Sequence, residues 1–282
     1  MNIEVTDLNK KLDEFALKNI SIKVPKGKIV GLIGENGAGK TSLIKCIVNA
    51  MHKDTGSVKL FEKEYDCYLK DSIGIVYDDS FLNENFSIKE INSVMKNIYS
   101  KWDEKFFFNY MTDYKIPFDK KYKKLSTGMK KKIEIACAMA HHPKVLILDE
   151  PTSGLDPIIR SEILDMFHNF VENNDNSILL STHITSDLEH IADDVIFISN
   201  GEIIFDNTLK DIKNTYTILN VNKEDFDKID KKDIIRYKEN RLDYMVLIYK
   251  ENFKEKYNDY KLGITTLDDI MLLYIRGIVC ED

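Results

Sequence analysis

The residues best suited to chemistry in this 282-residue chain are a glycine-rich run ending in Lys-Thr and, further on, a pair of adjacent acids. Residues 34–41 read GENGAGKT and fit the pattern G-x-x-x-x-G-K-[ST] in full. The glycines let backbone N–H groups wrap phosphates without Cβ clashes, Lys40 would reach the β- and γ-phosphates, and the Thr41 hydroxyl would hold Mg²⁺. The predicted nucleotide-binding residues are Gly34, Glu35, Asn36, Gly37, Ala38, Gly39, Lys40, Thr41 and Ser42.

The adjacent acids follow an unbroken apolar run. Residues 145–148 read VLIL, which is typical of a strand buried on both faces of a parallel sheet, and Asp149 and Glu150 come at its carboxyl end. There Asp149 would bind in the Mg²⁺ shell, and Glu150 would orient or deprotonate an attacking water. The alternative is a helix-start cluster on a surface loop. It explains Pro151 but not the apolar strand that delivers the acids.

A short polar turn precedes this strand and opens a helical pattern. Residues 125–129 read LSTGM, and a helix N-terminus with a glycine just inside it binds anions through free N–H groups and the helix dipole. The order of this turn and the segment VLILDEPTSGLD resembles the nucleotide-binding subunits of ABC transporters. The resemblance covers residues 1 to about 210. It implies the ABC ATPase form of the P-loop NTPase α/β fold, with ATP and Mg²⁺ as ligands.

The resemblance also assigns roles to particular residues. His183, after an apolar run at 178–182, matches the switch histidine that contacts the γ-phosphate, and it joins Glu150 as a catalytic residue. The loop that crosses the dimer interface would be Ser153, Gly154, Leu155 and Asp156. The signature turn, which meets the ATP of the partner in a head-to-tail dimer, would be Leu125, Ser126, Thr127, Gly128 and Met129.

Three positions depart from the family pattern. Thr127 replaces the first glycine of the usual LSGGQ. Asp78 stands at the position of the family's glutamine and is expected to ligate Mg²⁺, although a solvated turn at Asp78-Asp79 remains an alternative. Phe15 is the candidate for stacking on adenine, where the family usually has Tyr, and a place in a strand core remains open for it. The three lysines at 130–132 are expected to form a solvated helix face.

Composition excludes several other classes of protein. A net charge of −7 argues against non-specific nucleic-acid binding, which needs clustered Lys and Arg. No apolar run approaches the ~20 residues needed to span a bilayer, and the N-terminus has no signal-peptide pattern. The four cysteines are scattered without a C-x-x-C, which indicates reduced thiols rather than a disulfide frame or a zinc site.

Hydrophobic periodicity indicates how these residues are positioned. We expect an ATPase domain at 1–214, with a mainly parallel core sheet, an antiparallel β subdomain and a helical subdomain at about 83–140. A small α+β accessory domain is expected at 215–282. Asn200-Gly201 is a hairpin signal. Helical spacing in the helical subdomain is shown by Ile88, Ile91, Val94, Met95 and Ile98.

The resemblance predicts an ATP-binding subunit of an ABC transporter, most like bacterial ABC-2-type exporters of drugs, antimicrobial or toxic peptides, or lipids. It implies a separate transmembrane permease, and a homodimer or a heterodimer with a second ABC ATPase. It also implies a peripheral place on the cytoplasmic face of a bacterial cell membrane. A soluble ABC ATPase acting on ribosomes or DNA stays open, as does a P-loop kinase or GTPase.

Overall fold

The computed structural model describes residues 1–64, 67–172, 175–260 and 265–280, without the side chains of residues 67 and 68. The chain forms two compact units. The first comprises residues 1–187 and 191–206, and the second comprises residues 188–190 and 207–282. The predicted domain boundary at 214/215 stays a prediction.

The first unit contains most of the regular structure. Its strands are β1 (Ile3–Lys11), β2 (Ala16–Val24), β3 (Ile29–Ile33), β4 (Thr55–Leu60), β5 (Lys63–Glu64), β6 (Ile73–Val76), β7 (Val145–Asp149), β8 (Ser177–Thr182), β9 (Asp194–Ser199) and β10 (Glu202–Thr208). Its helices are α1 (Lys40–Ile47), α2 (Ile88–Ile98), α3 (Glu104–Asp113), α4 (Thr127–Met139), α5 (Pro157–Val171) and α6 (Thr185–Ile191), of which residues 188–190 are grouped with the second unit.

The main sheet has the strand order β10-β9-β3-β8-β7-β6. β3 pairs in parallel with β8 and β9, and β7 pairs in parallel with β8 and β6. β3, β7 and β8 are buried along their whole length, as their apolar sequences predict. The mainly parallel core sheet is therefore confirmed, and the carboxyl ends of its central strands meet at one edge.

A second sheet has the order β2-β1-β4-β5, with antiparallel pairs throughout. Ile3, at the start of β1, is opposite Val24 on one side and Leu60 on the other. These side chains share one apolar core with α1 and with Leu32 of β3. The antiparallel β subdomain is thus confirmed. It packs against β3, the strand of the main sheet that precedes the glycine-rich loop.

The helical region follows the predicted periodicity only in part. Ile88, Ile91 and Met95 of α2 are buried, whereas Val94 is 39% and Ile98 is 44% exposed. A capping box fixes the start of α2. The Ser87 side chain accepts a hydrogen bond from the Glu90 backbone N–H, and the Glu90 carboxylate accepts one from the Ser87 backbone N–H. The predicted apolar stripe therefore supplies both a core face and an exposed apolar edge.

The expectation of a solvated face at 130–132 is wrong for two of its three lysines. Lys131 and Lys132 are 8% and 6% exposed. The Lys131 ammonium lies 3.1 Å from a carboxylate oxygen of Glu134. Lys132 pairs with Glu162 of α5, and its ammonium lies 4.3 Å from the centroid of the Tyr114 ring. Burial is tolerated because each charge is paired and each aliphatic stem covers apolar surface.

The second unit is an α+β structure, as predicted. Its three-stranded antiparallel sheet has the order β11 (Tyr216–Val221), β13 (Tyr244–Tyr249) and β12 (Ile234–Glu239). The alternating residues at 216–221 and 244–250 predict two of these strands, and the helical spacing at 267–276 predicts the last helix, whereas the third strand and the shorter helices of this unit were not predicted. The elements are α7 (Leu209–Thr215), β11 (Tyr216–Val221), α8 (Lys223–Phe226), β12 (Ile234–Glu239), β13 (Tyr244–Tyr249), α9 (Lys250–Lys256) and α10 (Leu267–Arg276).

Candidate functional site

The glycine-rich loop joins β3 to α1 and needs its glycines. Gly37 and Gly39 have φ angles of 85° and 109°, in the left-handed region that favours glycine. A Cβ added at Gly39 would lie 2.7 Å from Leu17 Cδ2 and 2.8 Å from Phe15 Cζ. The loop can therefore keep this path only without a side chain there, and it ends directly at the N-terminus of α1, where free N–H groups favour an anion.

Lys40, the first residue of α1, is turned back over this loop. Its side chain is 6% exposed, and its ammonium donates to the carbonyl oxygens of Gly34 at 2.8 Å and Glu35 at 3.2 Å. Glu150 Oε1 lies 3.6 Å from the same ammonium. The structure thus brings the predicted phosphate-binding lysine and the predicted general base into one ion pair.

Thr41 and Asp149 meet where α1 passes the end of β7. Thr41 Oγ1 donates to Asp149 Oδ2 at 2.7 Å, and Ser181 Oγ of β8 donates to Asp149 Oδ1 at 2.8 Å. Asp149 is 1% exposed. Hydroxyl and carboxylate oxygens are the hard ligands that Mg²⁺ prefers, so this pair fits the predicted metal position. Ser181 was missed, because a serine inside an apolar strand gives no signal of a site.

The two carboxylate oxygens of Glu150 lie in different surroundings. His183 Nδ1 lies 2.8 Å from Oε2, and the His183 backbone N–H donates to the same oxygen at 3.4 Å. Within the described residues, Oε1 accepts no hydrogen bond. Glu150 has a φ of 49°, an uncommon conformation for a residue with a side chain, and its N–H donates to the Ser181 carbonyl at 2.9 Å. Oε2 is therefore hydrogen-bonded to His183, whereas Oε1 is buried and lies 3.6 Å from the Lys40 ammonium.

Lys40, Thr41 and Glu150 line one cavity of about 240 Å³, whereas Asp149 and His183 are not among its lining residues. Asp78 lines it together with Glu150, although no group of three or more His, Cys, Asp or Glu side chains is arranged as a metal site among the described residues. Phe15 lines it as well, and it also borders a neighbouring cavity of about 610 Å³ beside residues 9–18. The full lining is Phe15, Asn36, Gly37, Gly39, Lys40, Thr41, Ser42, Asp78 and Glu150.

The signature turn lies in a different cavity of the same unit. Ser126 is the N-cap of α4, and its hydroxyl accepts from Met129 N at 3.4 Å. Gly128 lies close to α5, since an added Cβ would be 3.1 Å from Ile159 Cγ2. This cavity of about 440 Å³ shares no lining residue with the phosphate cavity. Its lining is Tyr114, Ser126, Thr127, Gly128, Met129, Lys132, Gly154, Leu155, Asp156 and Ile159.

The predicted interface loop is held by the start of α5. Asp156 is the N-cap, and its Oδ1 accepts from the backbone N–H groups of Ile158 and Ile159, each at 3.1 Å. Gly154 has a φ of 70°. Residues 154–156 of this loop and residues 126–129 of the signature turn therefore line one cavity, whereas Ser153 and Leu125 are not part of its lining.

Comparison with known proteins places these motifs in one family. The sequence model of the family described as "ABC transporter" matches residues 17–153. The "ABC transporter ATP-binding protein YtrB" of Bacillus subtilis is 31% identical over 218 residues, covering 76% of this chain and 74% of that protein. The "Lantibiotic transport ATP-binding protein SrtF" of Streptococcus pyogenes is 33% identical over 206 residues, covering 72% of this chain and 89% of that protein.

A solved structure agrees with the sequence comparisons. The structure described as "Structure of ATP binding subunit of ABC transporter" superimposes with a TM-score of 0.69 at 26% sequence identity. The superposition covers 76% of this chain and 92% of that chain. The fold predicted from the sequence is therefore confirmed.

Proposed function

The chain belongs to the ABC transporter family of ATP-binding proteins, and from this premise we propose that it is an exporter ATPase that works as a head-to-tail dimer with a separate membrane permease. The observation that carries the dimer is the separation of the two half-sites. The phosphate cavity and the signature cavity share no lining residue, so ATP in the first would meet a signature turn only from a second ATPase. Both halves are present here, which allows a homodimer and also a heterodimer.

The proposed reaction uses the phosphate cavity of one subunit. The Lys40 ammonium and the loop N–H groups would hold the β- and γ-phosphates, and Thr41 and Asp149 would hold Mg²⁺. When bound, Mg²⁺ would neutralise charge that develops on the phosphates. Glu150 Oε1 would orient the attacking water, and His183 would keep the carboxylate in place through Oε2 while reaching the γ-phosphate. Asp78, on the cavity wall, would add an oxygen ligand to the metal.

The signature turn of the partner would complete the site. Ser126 and the N-terminus of α4 would offer hydroxyl and N–H groups to the γ-phosphate. Ser153, Gly154, Leu155 and Asp156 would cross the interface beside it, which is supported by the place of Gly154, Leu155 and Asp156 in the lining of the same cavity. Phe15, packed against Gly39, would stack on the adenine.

An exposed apolar edge supports a membrane partner at the helical region. Val94 and Ile98 of α2 are 39% and 44% exposed, and Phe81, just before the region, is 52% exposed. Val94 and Ile98 are four residues apart and share one face of α2, and exposed apolar side chains on one face are typical of protein interfaces. No helix of the described residues is long and apolar enough to cross a bilayer. The similarity to proteins named as ABC transporter ATP-binding proteins supports a peripheral place for this chain on the cytoplasmic face of a bacterial membrane.

The cargo class follows from the relatives rather than from the site. SrtF is named for lantibiotic transport, which supports an antimicrobial peptide among the predicted cargoes, alongside drugs and lipids. We retain residues 1–214 as the ATPase domain and residues 215–282 as an accessory domain.

Purification of the tagged chain from detergent-solubilised membranes of its host, with identification of the bound proteins, tests this function. A stoichiometric polytopic membrane protein is expected, and Ile98→Asp should lose it while retaining ATPase activity. Leu242→Asp is the matched control, because Leu242 is 92% exposed in the other compact unit. Ribosomal or DNA-binding proteins without a membrane protein would contradict the transporter assignment.

The direction of transport is tested with inverted membrane vesicles. An exporter should move its cargo into these vesicles, and release of cargo from them would contradict export.

A further inference from the structure

Asp187 is a fully buried acid outside the motifs described so far. It lies on α6, four residues after His183, and is 0% exposed. Its Oδ2 accepts from Thr152 Oγ1 at 2.5 Å, and its Oδ1 accepts from the Nε–H of Arg160. Arg160 also donates to Ser186 Oγ at 2.6 Å. Both oxygens of Asp187 are therefore engaged, and both main partners come from another part of the chain.

The two partners flank the interface loop. Thr152 directly precedes residues 153–156, and Arg160 lies on the first turn of α5 after them. The loop itself has only weak local bonds at its start, from Ser153 N to the Glu150 carbonyl and from Leu155 N to the Thr152 carbonyl, each at 3.3 Å. Asp187 thus holds the residue that precedes the loop and a residue of the helix that Asp156 caps, and it does so from the segment that carries His183.

Thr152 is also only two residues beyond Glu150. The left-handed backbone of Glu150 persists only where its surroundings determine it. On the amino side, the Glu150 N–H donates to Ser181. On the carboxyl side, the nearest buried side-chain anchor is Thr152, which is 1% exposed and donates to Asp187. Loss of that anchor would allow the backbone of Glu150 to relax, and its carboxylate would move relative to the phosphate cavity.

We propose that Asp187 is a positioning residue, which sets the backbone of Glu150 through Thr152 and the interface loop through Arg160. The inference rests on the proposed role of Glu150 as general base. It differs from a purely structural role, because a structural ion pair would support the fold without depending on the identity of residue 150. Displacement of a catalytic group by about 1 Å can cost about a hundredfold in rate, so a positioning effect should be large.

The test is a double-mutant cycle between Asp187→Asn and Glu150→Gln. Asn keeps the shape of Asp187 but removes its charge. We expect Asp187→Asn alone to lower kcat about ten- to a hundredfold, with ATP affinity within about twofold of the parent chain. In the Glu150→Gln background it should lower the residual rate by less than about threefold, because residues that act as a unit are not additive.

Two further variants keep the result interpretable. Thr152→Val removes one hydrogen bond at nearly constant volume. It should lower kcat about ten- to a hundredfold in the parent chain and by less than about threefold in the Glu150→Gln background, which keeps the test valid even if Asp187→Asn folds poorly. Asp233→Asn is the matched control for loss of a buried, lysine-paired acid: Asp233 is 7% exposed and accepts from Lys256 at 2.8 Å in the other compact unit. It should leave kcat unchanged.

The outcomes separate the two claims. If Asp187→Asn lowers kcat by the same factor in the Glu150→Gln background as in the parent chain, the two effects are independent. That result would overturn the positioning role and leave the proposed function in place. Parent-level kcat in both Asp187→Asn and Thr152→Val would overturn it as well. Unchanged hydrolysis in Glu150→Gln itself would instead contradict the proposed function.

Discussion

His183 Nδ1 lies 2.8 Å from Glu150 Oε2, whereas the Lys40 ammonium lies 3.6 Å from Oε1 of the same carboxylate. The two oxygens therefore have separate partners. The histidine contact is a full hydrogen bond and fixes the orientation. The lysine contact is longer, and Oε1 is buried without a hydrogen-bond donor among the described residues.

Glu150→Gln should bind ATP and hydrolyse it slowly. The amide keeps the size of the side chain but cannot take a proton from water, so kcat should fall about 10²- to 10⁴-fold, the usual contribution of a positioned base. Phosphate release and equilibrium ATP binding measure the two effects separately. Asp165→Asn, an exposed change on α5, is the control. A variant that turns over ATP at the parent rate would remove Glu150 from the mechanism.

Asp78→Asn should raise the Mg²⁺ concentration needed for half-maximal ATPase activity. Asp78 lines the phosphate cavity, while its neighbour Asp79 is absent from that lining. The amide is a neutral and weaker ligand for a hard cation, so a shift of about three- to tenfold is expected. Asp79→Asn is the matched control and should leave the Mg²⁺ titration in place. Identical titrations for both variants would assign Asp78 to the solvated-turn alternative.

Tyr122→Phe should destabilise the first unit. The Tyr122 hydroxyl donates to Glu134 Oε1 at 2.6 Å and lies 2.9 Å from Ser80 Oγ. Its removal leaves the buried Glu134 oxygen without that donor, at a cost of about 1–3 kcal/mol in the free energy of unfolding. Denaturant unfolding near pH 7 measures the loss. Phe108→Leu, a change of a partly exposed ring in the same region, is the control, and a smaller loss from Tyr122→Phe than from this control would contradict the account.

The same tyrosine gives a dependence on pH. Burial and the hydrogen bond to Glu134 raise the pKa of Tyr122 well above its usual value of 10.0. The folded state therefore holds this proton more tightly than the unfolded state, and the associated stability is present below pH 10.0 and falls as the pH rises above it. Above that pH, the stability of the parent chain should fall more steeply than that of Tyr122→Phe. Equal slopes would contradict the pKa shift.

Sequence reasoning located the parts of the site that are contiguous. Residues 34–41 carry their own strand, loop and helix start, and Asp149-Glu150 follow the strand that delivers them. Each pattern fixes both its residue types and its local backbone, so the sequence could predict it. The meeting of Thr41 with Asp149 also follows, since the carboxyl ends of parallel strands share one edge.

The missed features depend on residues that are distant in sequence. Lys132 is buried because Glu162 approaches it from α5, and the helical pattern around Lys132 contains no sign of that partner. Asp187 was overlooked for the same reason, since Thr152 and Arg160 reach it across a fold that a single sequence does not display. Charged residues on a helix are usually solvated, and only packing shows the exceptions.

Mixing two inactive variants tests the composite site most directly. Lys40→Ala removes the phosphate-binding ammonium. Ser126→Asp keeps an N-cap side chain but places a carboxylate where the partner's γ-phosphate would lie, so each variant alone should be inactive. In a head-to-tail dimer of the two variants, one of the two ATP sites combines the intact glycine-rich loop of the Ser126→Asp subunit with the intact signature turn of the Lys40→Ala subunit.

A one-to-one mixture should therefore recover about a quarter of the parent ATPase rate, because half of randomly formed dimers are mixed and each has one of two sites. Ser126→Asn, a neutral cap, is the control and should be active alone. Mixed dimers, isolated through two different tags, that hydrolyse ATP no faster than either variant alone would contradict a site shared between two subunits.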